Sequence, residues 1–434
     1  MLGMFTGRIL LVRATLLATA LLLITIGIIN IYAAGNPADP DPAVRLSVPA
    51  GLWKRQLVFA VAGLFCAAAV NLFSYRRLGP ISYGIYAGVL GLLVVLLLDK
   101  IVDIPFVPVI NGTRRWIRIG LGGHSIQLQP SEFCKIAYIL ALAWYLRFRR
   151  NYRRFKGLLG PFALTLLAMV LILLEPDLGT VLLMMPVLFA VLFVAGARLR
   201  HLGIIVLLAL LASPLFWAHM RSYQRMRLSS VFLQNDWIRA KALEHERLAR
   251  LLAGSQRNVR YWHRNQGYQV THAKRAIASG GLLGQGFRRG PYLRYDYNVR
   301  QGEPDAVRLP ERQNDFIFAI IAHQFGLVGA VILLGLYAVF ILCGAEIAWQ
   351  NTEPFGRLVA VGIVAMFAVE VVVNVSMTVG LMPITGLTLP LVSYGGSSLL
   401  VSMIAVGLLN NIGRDRPFSI ATSPFEHKDI PPGL

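Results

Sequence analysis

Leu309-Pro310-Glu311-Arg312-Gln313-Asn314-Asp315 runs directly into Phe316-Ile317-Phe318-Ala319-Ile320-Ile321-Ala322. Charge and amide groups give way within one residue to an apolar stretch long enough to enter a bilayer. A carboxylate at the mouth of such a helix is costly to desolvate, and intramembrane or near-membrane acids are by default candidates for function.

Nine more apolar stretches resemble the one after Asp315. The ten expected spans are Leu10 to Ala33, Gln56 to Ser74, Gly79 to Leu98, Pro130 to Leu146, Leu158 to Leu174, Leu178 to Ala195, Leu202 to Trp217, Asp315 to Leu342, Leu358 to Val379 and Ser397 to Ile412. Hydrophobic residues make up 56% of the 434 and charged residues 15%, with a mean hydropathy of +0.61. These values exclude a soluble domain and point to an all-α integral membrane protein. The alternating pattern of a transmembrane barrel is absent, and each stretch approaches the ~20 residues needed to cross a ~30 Å hydrocarbon core.

The net charge of +21 raises the question of nucleic acid, but its placement argues for a membrane. Short loops after even-numbered spans carry Arg76 and Arg77, then Arg147, Arg149, Arg150, Arg153, Arg154 and Lys156, then Arg198 and Arg200. The excess of arginine and lysine on one side puts those loops and the N-terminus in the cytoplasm. Ten spans return the tail, 413–434, with Arg414, Arg416 and Lys428, to the same side. The first apolar run is longer than a secretion-signal core, contains Arg13, and reads as a retained helix. Cys66, Cys134 and Cys343 lie in or beside spans and form neither a disulfide framework nor a zinc spacing.

The whole chain therefore reads as one polytopic membrane domain, 1–434. Its main extramembrane feature is a large external loop, 218–314, between the seventh and eighth spans. Within it, Trp237 to Gly254 has Ile238, Leu243, Leu248 and Leu251 at helical spacing with charge on the other face. This predicts one amphipathic helix, lying on the interface or packed on the other external loop. The many arginines of the loop suggest an anionic ligand or surface.

Every outward-starting span except the second opens on an unusual run. Before the fourth come Asn111-Gly112-Thr113-Arg114-Arg115-Trp116-Ile117 and Gln129-Pro130-Ser131-Glu132-Phe133-Cys134-Lys135. Glu132 and Lys135, three apart, share a helix face, so a structural ion pair and a functional one both fit. Before the sixth is Glu175-Pro176-Asp177-Leu178-Gly179-Thr180, where Asp177 is placed to cap the helix and Gly179 to allow close packing. Ser279-Gly280-Gly281-Leu282-Leu283-Gly284-Gln285-Gly286-Phe287 precedes the eighth, and its glycines suit an anion-accepting nest. Before the tenth, the segment from Pro383 through Ser393, Gly395 and Gly396 to Ser398 is polar and irregular, as backbone at membrane depth is only against protein or a wet cavity. His323 and Gln324, inside the eighth span, read as packing residues or as part of a transport path.

Taken in order, these segments resemble the SEDS family, the shape, elongation, division and sporulation proteins of RodA, FtsW and SpoVE type. The resemblance covers nearly the whole chain and rests on NGTRRWI (111–117), QPSEFCK (129–135), EPDLGT (175–180), SGGLLGQGF (279–287), LPERQNDFIFA (309–319) and PITGLTLPLVSYGGSS (383–398). It implies a peptidoglycan glycosyltransferase that polymerises lipid II at the outer face of the cytoplasmic membrane in elongation or division, with a class B penicillin-binding protein as partner. Asp315 then matches the family's essential acid and is the expected catalytic base. Glu132, Lys135, Arg115 and Trp116 match its supporting or substrate-binding positions, and we add Ser393, Gly395 and Gly396.

Base catalysis at a hydroxyl and countercharge for a departing diphosphate are what such a reaction asks of these residue types. Lys135 and Arg115 are expected to orient Asp315 or to neutralise the diphosphate, with Glu132 holding Lys135. Trp116 is expected to anchor the loop or stack on a sugar. A divalent cation, Mg or Mn, is compatible with a diphosphate substrate, although no dedicated ligand cluster is visible. The chain departs from the family at Gln313-Asn314, where His-Thr is usual, at His323-Gln324, where an acidic pair is usual, and at Glu175, where Gln is common. The loop region 218–270 also looks longer and more basic. Two rival readings are a flippase or transporter for lipid-linked oligosaccharide and a non-catalytic activator of a transpeptidase.

Overall fold

The computed structural model describes residues 2–38, 48–110, 113–121, 124–148, 155–220, 222–262, 266–294 and 309–414. The tail expected on the cytoplasmic side lies outside them from residue 415 onward. The membrane helices are α1 (Leu2–Gly35), α2 (Leu52–Leu72), α3 (Leu78–Leu98), α4 (Pro130–Leu146), α5 (Leu159–Leu174), α6 (Leu178–Ala195) and α7 (Leu199–His219). After the external loop come α14 (Ile317–Gln350), α15 (Pro354–Thr378) and α16 (Gly396–Arg414). Nine of these are long and apolar enough to cross a membrane among the described residues. The tenth, α4, is 17 residues long and carries Glu132 and Lys135, which its position explains. It is buried along nearly its whole length against α3, α5, α6, α15 and α16, so protein rather than lipid receives its charges.

Around α4 the bundle pairs α2 with α16, α1 with α14, and α15 with both α6 and α14. Core side chains such as Tyr138, Tyr337, Phe340 and Phe367 fill the interior. By contrast α7 has a single buried residue, Leu202.

Two features depart from the expected outline. The loop before α4 forms a hairpin, with β1 (Ile117–Leu121) antiparallel to β2 (His124–Leu128). In the large loop, the expected single helix over Trp237 to Gly254 is two: α9 (Asp236–Glu244) and α10 (Glu246–Ala253), separated at the extended His245 (φ −110°, ψ 108°). They pack with α8 (Ser222–Leu233) and α11 (Gln256–Arg260) around Met226, Leu233, Ala242, Ala249, Ala253, Val259 and Trp262. The inward face is thus built largely from alanines, while Leu243 and Leu251, expected on the apolar face, are exposed. A large-residue periodicity count misses a face on which small residues let short helices approach closely.

The loop continues through α12 (Gln266–Gly280) and α13 (Pro291–Arg294), and α12 packs on α14. Where they meet, α14 is broken at Gly326 (φ 64°, ψ −159°). The glycine segment after α12 fills the break. Gln285 and Gly286 N–H donate to the carbonyls of His323 and Gln324 at 3.0 Å each, and Leu327 and Val328 N–H donate to Gly281 and Leu282 carbonyls at 2.9 and 3.2 Å. Backbone groups freed by the break are thereby satisfied without water. This corrects the anion-nest expectation, because N–H groups of the segment point into α14. Gly284 (φ +87°) lies against the Gln324 backbone and leaves no room for a side chain.

Candidate active site

Asp315 sits one residue before the N-cap of α14, on a segment clamped from two sides. Ser393 Oγ donates to the Asn314 carbonyl at 2.6 Å, and Tyr394 N–H donates to the Gln313 carbonyl at 2.9 Å. From α15, Asn374 Nδ2 donates to the Asp315 carbonyl at 2.9 Å and to the Leu387 carbonyl at 2.7 Å. One amide therefore ties the segment before α14 to the segment before α16. The backbone of Asp315 is fixed while its carboxylate receives no hydrogen bond among the described residues.

What faces that carboxylate is Arg227, from α8. A β-carbon placed on Gly386 (φ +79°) would lie 3.7 Å from Asp315 Oδ2 and 4.0 Å from Arg227 Nη2. A side chain at Gly386 would thus stand in van der Waals contact with both groups, and its absence leaves that position to neither. Arg227 is anchored by its Nε donating to the Ile384 carbonyl. Burial, with the neighbouring Glu311 and Asp177, pushes the Asp315 carboxyl up to about 7 against the opposing pull of Arg227.

Asp177 forms the next wall. It caps α6, as expected, with Thr180 N–H at 3.4 Å, but it also accepts from Ser131 Oγ at 2.9 Å, Thr180 Oγ1 at 3.0 Å and Gln129 Nε2 at 3.2 Å. It thus joins the starts of α4 and α6. Arg115 Nη2 donates to the Pro176 carbonyl at 2.7 Å, which places it at the α5–α6 corner and not on Asp315. Trp116 is half-buried beside it. Glu175, at that corner, is buried with neither carboxylate oxygen hydrogen-bonded among the described residues. Burial, reinforced by Asp177 and opposed by Arg115 and Lys100, pushes it up to about 8.

Lys135 lies deeper. Its Nζ is 2.8 Å from Glu132 Oε2 and 2.6 Å from Glu370 Oε1, all three side chains being buried. Glu132 does hold Lys135, but the lysine is shared by two carboxylates and serves as an internal tie, not as a direct partner of Asp315. Glu370 and Asn374 are one turn apart on α15, so a single helix face carries both the tie to Lys135 and the tie to Asp315.

Ser393 is used in the clamp, and its carbonyl accepts from Gln56 Nε2 at 3.1 Å. Gly395 N–H donates to Gln56 Oε1 at 3.3 Å, and Gly396 packs against the Phe59 ring. These three shape the wall behind Asp315. His323 Nδ1 lies 2.8 Å from Ser279 Oγ with its ring against Tyr292. Gln324 donates to Asn30 Oδ1 at 2.9 Å and accepts from Arg288 N–H at 2.9 Å. Both are fully buried among packed side chains, which removes the observation that had favoured a transport path.

Three residues of the site were missed in the sequence: Arg227, Asn374 and Glu370. For Glu370 a signal existed, a lone acid within a long apolar run. Arg227 is one arginine among many in its loop and carries no local mark.

A profile of the family described as cell cycle protein, of FtsW, RodA and SpoVE type, matches residues 13–417. The chain belongs to the SEDS family. Among relatives, the peptidoglycan glycosyltransferase RodA of Treponema pallidum is 33% identical over 450 residues, covering 92% of this chain and 96% of that protein. Among solved structures, a chain of a peptidoglycan synthase complex, studied for structural coordination of polymerization and crosslinking, superposes with a TM-score of 0.67 at 31% identity, covering 92% of this chain and 97% of that one. The rod shape determining protein RodA of Thermus thermophilus gives 0.59 at 28% identity over 93% and 97%. This SEDS chain is an all-α, multi-pass membrane protein.

Proposed function

We propose that this SEDS protein is a peptidoglycan glycosyltransferase that polymerises lipid II, with Asp315 as its base. The observation that carries the assignment of the base is the Asp315 carboxylate. It is fixed through its backbone, receives no hydrogen bond among the described residues, and faces Arg227 over Gly386.

In the reaction, the 4-hydroxyl oxygen of one disaccharide attacks the anomeric carbon of another. Asp315 takes the hydroxyl proton as the new C–O bond forms. The bond from that carbon to the polyprenyl diphosphate breaks, and its electron pair leaves with the diphosphate. Arg227 is placed to supply the countercharge, while Lys135, Glu132 and Glu370 hold α4 and α15 in register beneath. Arg115 steadies the α5–α6 corner through Pro176. The arginine-rich loops put the opposite end of the bundle, and both termini, in the cytoplasm, so Asp315 works at the outer leaflet. The relative solved within a synthase complex supports a class B penicillin-binding protein as partner.

Among the described residues, no three His, Cys, Asp or Glu side chains come together as a cation site, and Asp177 is already surrounded by donors. A divalent cation brought by the diphosphate would need only one or two carboxylates beside the phosphates.

Purified protein, with and without its partner, should convert labelled lipid II into glycan strands. Asp315→Ala should lower the rate by about 10²–10⁴-fold, the range for loss of a positioned base. Strands made at the wild-type rate by Asp315→Ala would refute the base. Their absence from folded wild type with partner would favour a non-catalytic activator.

A further inference from the structure

At the end of the bundle opposite Asp315, helices α1, α2 and α16 enclose an apolar trough of about 310 Å³, lined by residues that include Leu17, Leu21, Leu64, Ala68, Met403 and Val406. It lies on the side of the bundle, where Leu21 and Leu64 are exposed. Its lower end turns polar. Asn410 Nδ2 donates to Asn71 Oδ1 at 2.8 Å, and Arg13 Nε donates to Asn410 Oδ1 at 2.9 Å.

The Arg13 stem lies along Gly413, and its guanidinium is near enough to Arg414 for the two charges to repel. Neither arginine pairs with a carboxylate among the described residues. Glu346, on the adjacent α14, is taken by Arg8 at 2.9 Å. Arg76 and Arg77, just beyond Asn71, are exposed at the same end; beyond Arg414 the sequence reads Asp415-Arg416, one charge of each sign. Depth fits as well. Arg13 lies 22 residues before Gly35 at the far end of α1, roughly 33 Å at 1.5 Å per residue, which sets it at the headgroup level of one leaflet.

Two neighbouring guanidiniums with no carboxylate partner among the described residues, at the headgroup end of an apolar trough, make a site suited to a bound anion. We propose that one anionic phospholipid of the leaflet opposite Asp315 completes it, an acyl chain lying in the trough and the phosphate set between Arg13 and Arg414. Basic pockets between membrane helices bind such headgroups, and arginine matches phosphate geometry well. The trough is remote from the catalytic face, so the site stands whether or not Asp315 is the base.

The test uses the delipidated full-length protein and native mass spectrometry, titrating phosphatidylglycerol against phosphatidylcholine of the same chain length. Wild type should bind phosphatidylglycerol at least tenfold more tightly. Arg414→Gln, which removes no hydrogen bond among the described residues, should cut that preference severalfold, and Arg13→Gln with Arg414→Gln should abolish it. Ala68→Phe, filling the trough from its exposed side, should weaken both lipids at least tenfold. An unchanged preference in Arg414→Gln and the double variant would overturn the headgroup site. Unchanged binding in Ala68→Phe, or equal stabilisation by inorganic phosphate, would overturn the acyl-chain site.

Discussion

With Asp315 as the proposed base, its proton decides when the site can act. Its carboxyl titrates near 7 because burial and the acids Glu311 and Asp177 outweigh Arg227, and only the deprotonated form accepts a hydroxyl proton. The initial rate of polymerisation should therefore climb as pH rises through about 7 and level off above it. Arg227→Gln removes an influence that favours the charged form, so the rising limb should move to higher pH. Glu311→Gln should move it lower. Identical limbs in all three proteins would show that another group limits the rate. Glu175 gives a stability prediction of the opposite kind from a salt-bridged acid. Its folded-state value of about 8 lies above the ordinary 4.5, so between those pH values the folded chain keeps a proton that the unfolded chain has lost. Stability must then fall as pH rises across that window, by a few kcal/mol in all. Glu175→Gln should flatten the fall in a thermal-unfolding series, whereas parallel curves would mean Glu175 is not held neutral. Asp315 and the Glu132–Lys135 pair were legible in sequence because a charge beside or within an apolar run stands out. Arg227 and Asn374 were not, since their meaning is a distance across chain segments far apart in sequence.

At the level of elements, most helix ends were readable to within four residues because hydropathy is set along the chain, whereas α1 starts and α14 ends eight residues beyond the expected spans. Conformations set between elements were not. The glycines of 279–287 were visible, yet their role depends on where the N–H groups point, and these serve α14. Gly284→Ala should destabilise the protein by about 1–3 kcal/mol from its positive φ alone, with more from contact with the Gln324 backbone. Gly335→Ala, on α14 with open space around it, should be neutral or stabilising by up to about 1 kcal/mol. Thermal unfolding in detergent separates the two, and equal midpoints would argue that the segment does not support the break. The split of the expected amphipathic helix at His245 has a related cause: alanine faces carry little hydropathic signal but decide which side packs.

For the whole molecule, the orientation proposed from charge placement can be read directly. Trp237→Cys, at an exposed loop position, should react with an impermeant maleimide in intact spheroplasts. Arg77→Cys should react only after the membrane is opened, and the reverse pattern would invert the protein. Sidedness also gives the break in α14 a meaning in time. In the proposed orientation, residues 281–286 precede α14 in the chain and cross the membrane to reach the carbonyl and N–H groups of His323 to Val328. The first turns of that helix are therefore completed by an earlier part of the chain waiting on the far side. In that orientation the eighth crossing cannot finish its first turns until the external loop has been exported to meet it.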